Sequence, residues 1–106
     1  MKLLSENKKG PAAARNSGLR EVKNKVVIFV DSDVIVKNNT FIELLKYLND
    51  DSIAGVGGIP ESYDRHNFIS LSQDVRLFGN SIFDKEIKEV KHIATMIAAY
   101  KTNILK

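Results

Sequence analysis

The stretch Val26-Val27-Ile28-Phe29-Val30-Asp31-Ser32-Asp33 decides how the rest of the chain is read. Five β-favouring apolar residues in succession predict a strand buried on both faces. They stop abruptly at Asp-Ser-Asp, which sets two carboxylates at the strand's C-terminal end. In open α/β sheets, ligands bind outside the carboxyl ends of the strands. Two carboxylates two residues apart can share a divalent cation or a polar ligand where the chain turns. The same tripeptide also reads as an Asx-turn or a helix cap closing an ordinary strand.

Upstream, Gly10-Pro11 starts a helix, with Gly10 as N-cap and Pro11 at the first helical position. Ala12, Ala13 and Ala14 favour helix strongly, and the helix is predicted to run to about Val22. Its small residues Ala13, Ala14, Ser17 and Gly18 permit close approach to another element. Arg15 and Asn16 lie one turn in, where a lone Arg is ordinarily a solvated charge. Lys23-Asn24-Lys25 makes a tight turn into the strand, and Met1 to Lys9 reads as a frayed polar lead-in.

Downstream, Thr40-Phe41-Ile42-Glu43 matches a capping box. Phe41, Leu44, Leu45 and Leu48 then recur at helical spacing, and Asn49-Asp50-Asp51 ends that helix. Asp50 and Asp51 read as a solvated helix end and not as ligands. Ile53 to Ile59 is a second strand whose glycines suggest close backbone approach or a bulge. Residues 61–90 form a variable excursion, with one helix expected around Phe68 to Phe78 and a short turn in Lys85 to Lys91. His66 and His92 each stand alone and read as surface or packing residues. His92 to Tyr100 predicts a third strand, and Lys101 to Lys106 begins a further element.

The totals set limits on this reading. With 106 residues, the chain suits one domain, and 43% hydrophobic against 27% charged residues permits a real core. It has no Cys, which excludes disulfides, zinc-thiolate sites and Cys nucleophiles and fits a reducing, cytoplasmic compartment. The net charge of +3 comes from Lys residues scattered among acids, which is no nucleic-acid footprint. No apolar run reaches membrane-spanning length.

Gly10, Ala14, Arg15, Asn16 and Gly18, a dozen residues before Asp31-Ser32-Asp33, resemble the family 2 glycosyltransferases. That family carries a Gly-x-x-x-Ala-Arg-Asn-x-Gly helix and then a strand ending in Asp-x-Asp. Ala54-Gly55-Val56-Gly57-Gly58 looks like the family's next strand, and Ala98 to Leu105 is similar to its later strand-to-helix passage. The resemblance implies an α/β fold, a partial GT-A sandwich with a three-stranded mixed sheet flanked by helices. It implies that the strand around His92 to Tyr100 runs antiparallel between the other two. It also implies inverting transfer of a sugar from a nucleotide-diphosphate sugar to an acceptor hydroxyl, with Mn²⁺ or Mg²⁺ offsetting charge on the leaving diphosphate. By the resemblance, Asp33 is the foremost metal ligand, with Asp31 beside it contacting the metal or the ribose and sugar hydroxyls. Ser32 is a bystander or makes a backbone contact, and Arg15 faces phosphate oxygens.

In the family, nucleoside-binding strands precede this region and a catalytic acid follows it. The chain therefore resembles the middle of a catalytic domain, and the isolated chain is expected to be inactive. Val26 to Val30 is expected to be an edge strand, covered by a homo-oligomer or by a complementing half-domain. Two other readings compete. The haloacid-dehalogenase-like phosphatases also place Asp-x-Asp after a strand, though here Ile35 stands where they carry Thr or Val. A non-enzymatic interaction module is the other.

Overall fold

The apolar run Val26–Val30 forms strand β1, and it does so beside a partner drawn from the far end of the sequence. A computed structural model describes residues 1–59, 61–63, 90, 93 and 96–106. In chain order these contain helix α1 (Pro11–Glu21), β1, helix α2 (Thr40–Leu48), strand β2 (Gly55–Gly57), strand β3 (Ile97–Lys101) and a short helix α3 (Thr102–Leu105). The sheet order is β1-β3-β2. The last strand in sequence is thus the middle strand in space, as the resemblance implied.

Both ladders are antiparallel, with Val26 opposite Lys101, Val30 opposite Ile97 and Val56 opposite Ala99. The expected mixed sheet is therefore corrected. β1 and β2 run the same way but never touch, because β3 separates them. Hydrogen bonding to β3 extends beyond the three residues of β2, since the Lys101 amide donates to the Ala54 carbonyl at 3.0 Å. The Gly58 amide donates to the Ile97 carbonyl at 3.1 Å at the other end.

Successive strand residues alternate between faces. One face carries Val26 and Ile28 of β1, Ile97 and Ala99 of β3, and Val56 of β2. It packs on Leu44 and Leu48 of α2, with Val36 and Ile53 at its margin. Leu44 and Leu48 are one turn apart, so a single helical stripe meets the sheet. The wider stripe expected on α2 is not realised among the described residues, because Phe41 and Leu45 stay exposed. The second correction concerns β1. Its residues are half-buried and Val30 is exposed, whereas Ile97, Ala98 and Ala99 of β3 are buried. The strand buried on both faces is the central one, and β1 lies at the sheet's rim among the described residues.

The opposite face carries Val27, Phe29, Ala98 and Tyr100, with the Phe29 and Tyr100 rings edge-on at 6.3 Å between centroids. Lys101 joins β3 to α2, its ammonium donating to the Asp50 carbonyl at 2.7 Å. A cation at a helix C-terminus meets both the free carbonyls and the negative end of the dipole. Asp50 itself accepts from the Ser52 amide and hydroxyl, and these bonds hold its carboxyl below the usual carboxylate range.

The α2 start differs from the capping box. Thr40 is already helical, and the residue before it, Asn39, adopts the left-handed conformation at φ 70° with no side-chain cap bond. Asn tolerates that region better than most residues. Met1 to Lys9 contains no regular element, yet it is tied to α1. Glu6 accepts from the Ser17 hydroxyl and from Arg20, and Lys2 pairs with Glu21. The expected helix at Phe68 to Phe78, the turn in Lys85 to Lys91, His66 and His92 lie outside the described residues. No described helix is long and apolar enough to cross a membrane.

Candidate functional site

The acidic turn begins where β1 ends. The Asp31 amide donates to the Met96 carbonyl at 3.0 Å, which keeps Asp31 on the ladder one residue beyond the strand. The Val34 amide then donates to the Asp31 carbonyl at 3.1 Å and closes a four-residue turn. Ser32 and Asp33 occupy the corner of that turn, and both are exposed. The main chain makes the turn unaided. The Asp31 carboxylate is thereby released from the Asx-turn role that the tripeptide also permitted.

It is used by α1 instead. Arg15 Nη2 donates to Asp31 Oδ1 at 2.8 Å, and the two side chains are about one-third exposed. The helix makes this contact because Gly10, at φ 114°, turns the chain into it, a conformation that favours glycine. Pro11 then fixes the first helical residue, and Arg15 follows one turn later. A charge-assisted bond of this length fixes the orientation of the Asp31 carboxylate and leaves its second oxygen available.

The structure thus brings Arg15 and Asp31 into contact and puts Ser32 and Asp33 on the adjoining corner. Asp33 makes no hydrogen bond or ion pair among the described residues, which leaves its carboxylate free to take a ligand. No group of three or more His, Cys, Asp or Glu side chains gathers among the described residues. Oxygen donors from one or two carboxylates suit a hard cation held jointly with substrate phosphates, as Mg²⁺ commonly is. The donor set at the turn fits such a shared ion and does not fit an all-protein cage.

Sequence reasoning did not find Met96, whose carbonyl holds the Asp31 amide. No residue type marks a backbone acceptor, so only the strand register reveals it. A separate hollow of about 460 Å³ lies between α1 and α3, lined by Asn16, Leu19, Arg20, Leu105 and Lys106. None of Arg15, Asp31, Ser32 or Asp33 lines it, and the acidic turn is the better candidate because its carboxylates have a defined arrangement.

A helix that delivers Arg to the first acid of an Asp-x-Asp turn, ahead of an antiparallel central strand, defines an α/β domain with a polar site at a strand's carboxyl end. The family model for glycosyl transferase family 2 matches residues 2–106. The chain belongs to that family, and its α/β fold accords with the GT-A architecture the family implies. No curated protein and no solved structure matches the chain.

Proposed function

We propose that the acidic turn is the diphosphate and metal end of a nucleotide-sugar site, serving inverting transfer of the sugar to an acceptor hydroxyl. The observation that carries this reading is the Arg15–Asp31 bond beside an unengaged Asp33 carboxylate. It groups one fixed cation, one oriented carboxylate and one free carboxylate at the strand end. In this reading, Asp33 takes a divalent cation, with Asp31 beside it offering its second oxygen to the cation or to ribose and sugar hydroxyls. Ser32 contributes its backbone at the corner. Arg15 directs its remaining guanidinium donors at phosphate oxygens. A divalent cation bound there supplies Lewis-acid stabilisation of the leaving diphosphate.

The described residues bring no third acid or imidazole to the turn, so none is placed to accept the acceptor hydroxyl's proton. General-base help is worth roughly 10²–10⁴-fold, so the group that supplies it in this reading is to be sought outside the described residues. A cytoplasmic location is proposed with it, on the absence of Cys.

Amide NMR of the chain with Mn²⁺ and a nucleoside diphosphate tests the site. Binding on the order of millimolar is expected, because one guanidinium and two solvent-accessible carboxylates preorganise a ligand weakly. Paramagnetic broadening should centre on Val30 to Val34, require the diphosphate, and vanish in Asp33→Asn. Broadening that persists unchanged in that variant refutes the assignment of Asp33. Diphosphate binding without any metal dependence favours a different use of the turn.

A further inference from the structure

Arg15 and Asp31 are each held in place by bonds other than the one they share. The Asp31 amide donates to the Met96 carbonyl at 3.0 Å, and the Asp31 carbonyl accepts from the Val34 amide at 3.1 Å. The residue is therefore fixed at the end of β1, and its carboxylate swings only about its own side-chain bonds. Arg15 rides on α1, where Ser17 is buried, donates its hydroxyl to Glu6 and accepts from Arg20 Nη2 at 2.7 Å. Beyond α1, the Lys25 carbonyl accepts from the Thr102 amide at 2.9 Å, which ties the link between α1 and β1 to the end of β3. The guanidinium thus meets Asp31 Oδ1 at 2.8 Å from a base fixed elsewhere. It is a resident counter-charge at the acidic turn.

A counter-charge so placed acts with opposite sign on two kinds of visitor. A free divalent cation is drawn by the carboxylates of Asp31 and Asp33, but the guanidinium offsets one of those charges and repels the cation itself. To use Asp31 fully, the cation has to displace a charge-assisted bond. A cation that arrives already bound to a diphosphate brings anionic oxygens of its own. Those oxygens accept from the guanidinium donors that Asp31 leaves unused, while the cation meets Asp33 and the second Asp31 oxygen. The Arg15–Asp31 pair is about one-third exposed, so water and salt weaken both effects without reversing either. Both effects belong to Arg15 itself. The difference it makes therefore keeps its sign whatever further charges surround the turn.

We propose that Arg15 is a specificity-determining residue, which tunes the acidic turn against a free divalent cation and toward a cation–diphosphate complex. This selectivity rests on the reading of the turn as a metal–diphosphate site and adds to it an order of loading. Cation and diphosphate enter as one unit, and a free cation does not wait at the turn for a donor.

Broadening of the Val30 to Val34 amides by Mn²⁺ alone, and by preformed Mn²⁺–pyrophosphate, tests this in the wild-type chain and in Arg15→Gln. Arg15→Gln is expected to bind free Mn²⁺ about fivefold more tightly and Mn²⁺–pyrophosphate about fivefold more weakly. Opposite changes exclude a merely structural role, because a displaced α1 would move both affinities the same way. Arg15→Lys keeps the charge on α1 and should return both affinities most of the way to wild type. A second measurement needs no variant, and it carries the test if Arg15→Gln fails to fold. In the wild-type chain, the Arg15 Nε–H resonance should move with Mg²⁺–pyrophosphate and stay in place with Mg²⁺ alone. A resonance that answers to Mg²⁺ alone, or to neither, overturns the proposal. If Asp33→Asn leaves the Mn²⁺–pyrophosphate broadening unchanged, the turn is no metal–diphosphate site and the underlying reading fails. If Asp33 is required but a folded Arg15→Gln shifts the two affinities in the same direction, or shifts neither, the selectivity of Arg15 alone is refuted.

Discussion

The Tyr100 ring lies so close over the backbone of Gly55 that a Cβ there would stand 2.5 Å from ring carbon Cδ1 and 2.7 Å from Cε1. The same ring meets Phe29 edge-on, so one aromatic side chain bridges β2 and β1 across the central strand. Gly55→Ala is expected to cost about 1–3 kcal/mol as an overpacking substitution, measured by urea unfolding. The cost should shrink in a Tyr100→Ala background, where the obstructing ring is gone. Equal costs in the two backgrounds would show that the ring is not what excludes the methyl group.

Arg15 and Asp31 should be energetically coupled, though modestly. Their pair is about one-third exposed, so water and salt weaken it. A double-mutant cycle with Arg15→Ala and Asp31→Asn is expected to give a coupling of about 0.5–1 kcal/mol that falls with added salt. Arg15→Lys should recover part of it, because the charge is kept and the planar fork is lost. Zero coupling at low salt would remove Arg15 from its orienting role.

Asn39 is the point of backbone strain before α2. Asn39→Gly should be neutral or slightly stabilising, while Asn39→Val should lose roughly 1–2 kcal/mol in thermal or urea melts, because a β-branched residue resists the left-handed region. Thr40→Ala should cost well under the roughly 1 kcal/mol typical of a lost N-cap, since the N-cap position is held by Asn39 and no side-chain bond caps the helix. A Thr40→Ala loss of full cap size would indicate that the capping box does form in solution.

The lead-in should come loose in acid. The Ser17 hydroxyl, followed by the Lys8 amide and Arg20, holds the Glu6 carboxyl below its ordinary value of 4.5. A carboxyl with a lowered folded value binds its proton more readily when undocked. The docked lead-in is therefore fully favoured above the ordinary value and is lost as pH falls through the lowered one. Carboxyl NMR should show Glu6 titrating below an unfolded-peptide reference, and Glu6→Gln should abolish the acid dependence of proteolysis within Met1 to Lys9. Titration at or above the reference would contradict the Glu6–Ser17 contact.

What could be read from the sequence was mostly local chemistry. Pro11 after Gly10 fixed the start of α1, and five β-favouring residues followed by Asp-Ser-Asp fixed β1 and the turn beyond it. The glycines of β2 suggested close approach, and Gly55 makes it, whereas a Cβ on Gly18 would meet nothing within 4 Å. The limits of β3 were not legible. His92 to Tyr100 has β-branched residues, but pairing with β1 and β2 places the strand at Ile97–Lys101. Lys101 was expected to begin a further element and is instead the last ladder residue of β3, with its ammonium reaching the end of α2. The partner of Arg15 was hidden for a similar reason. Helical spacing says which residues share a face, but not which distant carboxylate that face will meet.

The placement of β3 also bears on the order in which the sheet can form. Among the described residues β1 and β2 pair only with β3, so both of these ladders await Ile97–Lys101 from far along the chain. Loop closure over such a span carries an entropic cost before any cross-strand contact repays it, and non-local pairing of this kind slows folding. During synthesis, α1 and α2 can form as their own residues emerge, while the ladder between Val26–Val30 and β3 is still absent. The sheet should therefore appear late and in a single step, with Ala98 and Ala99 as its keystone, and a substitution that delays β3 should lower yield more than its effect on final stability would suggest.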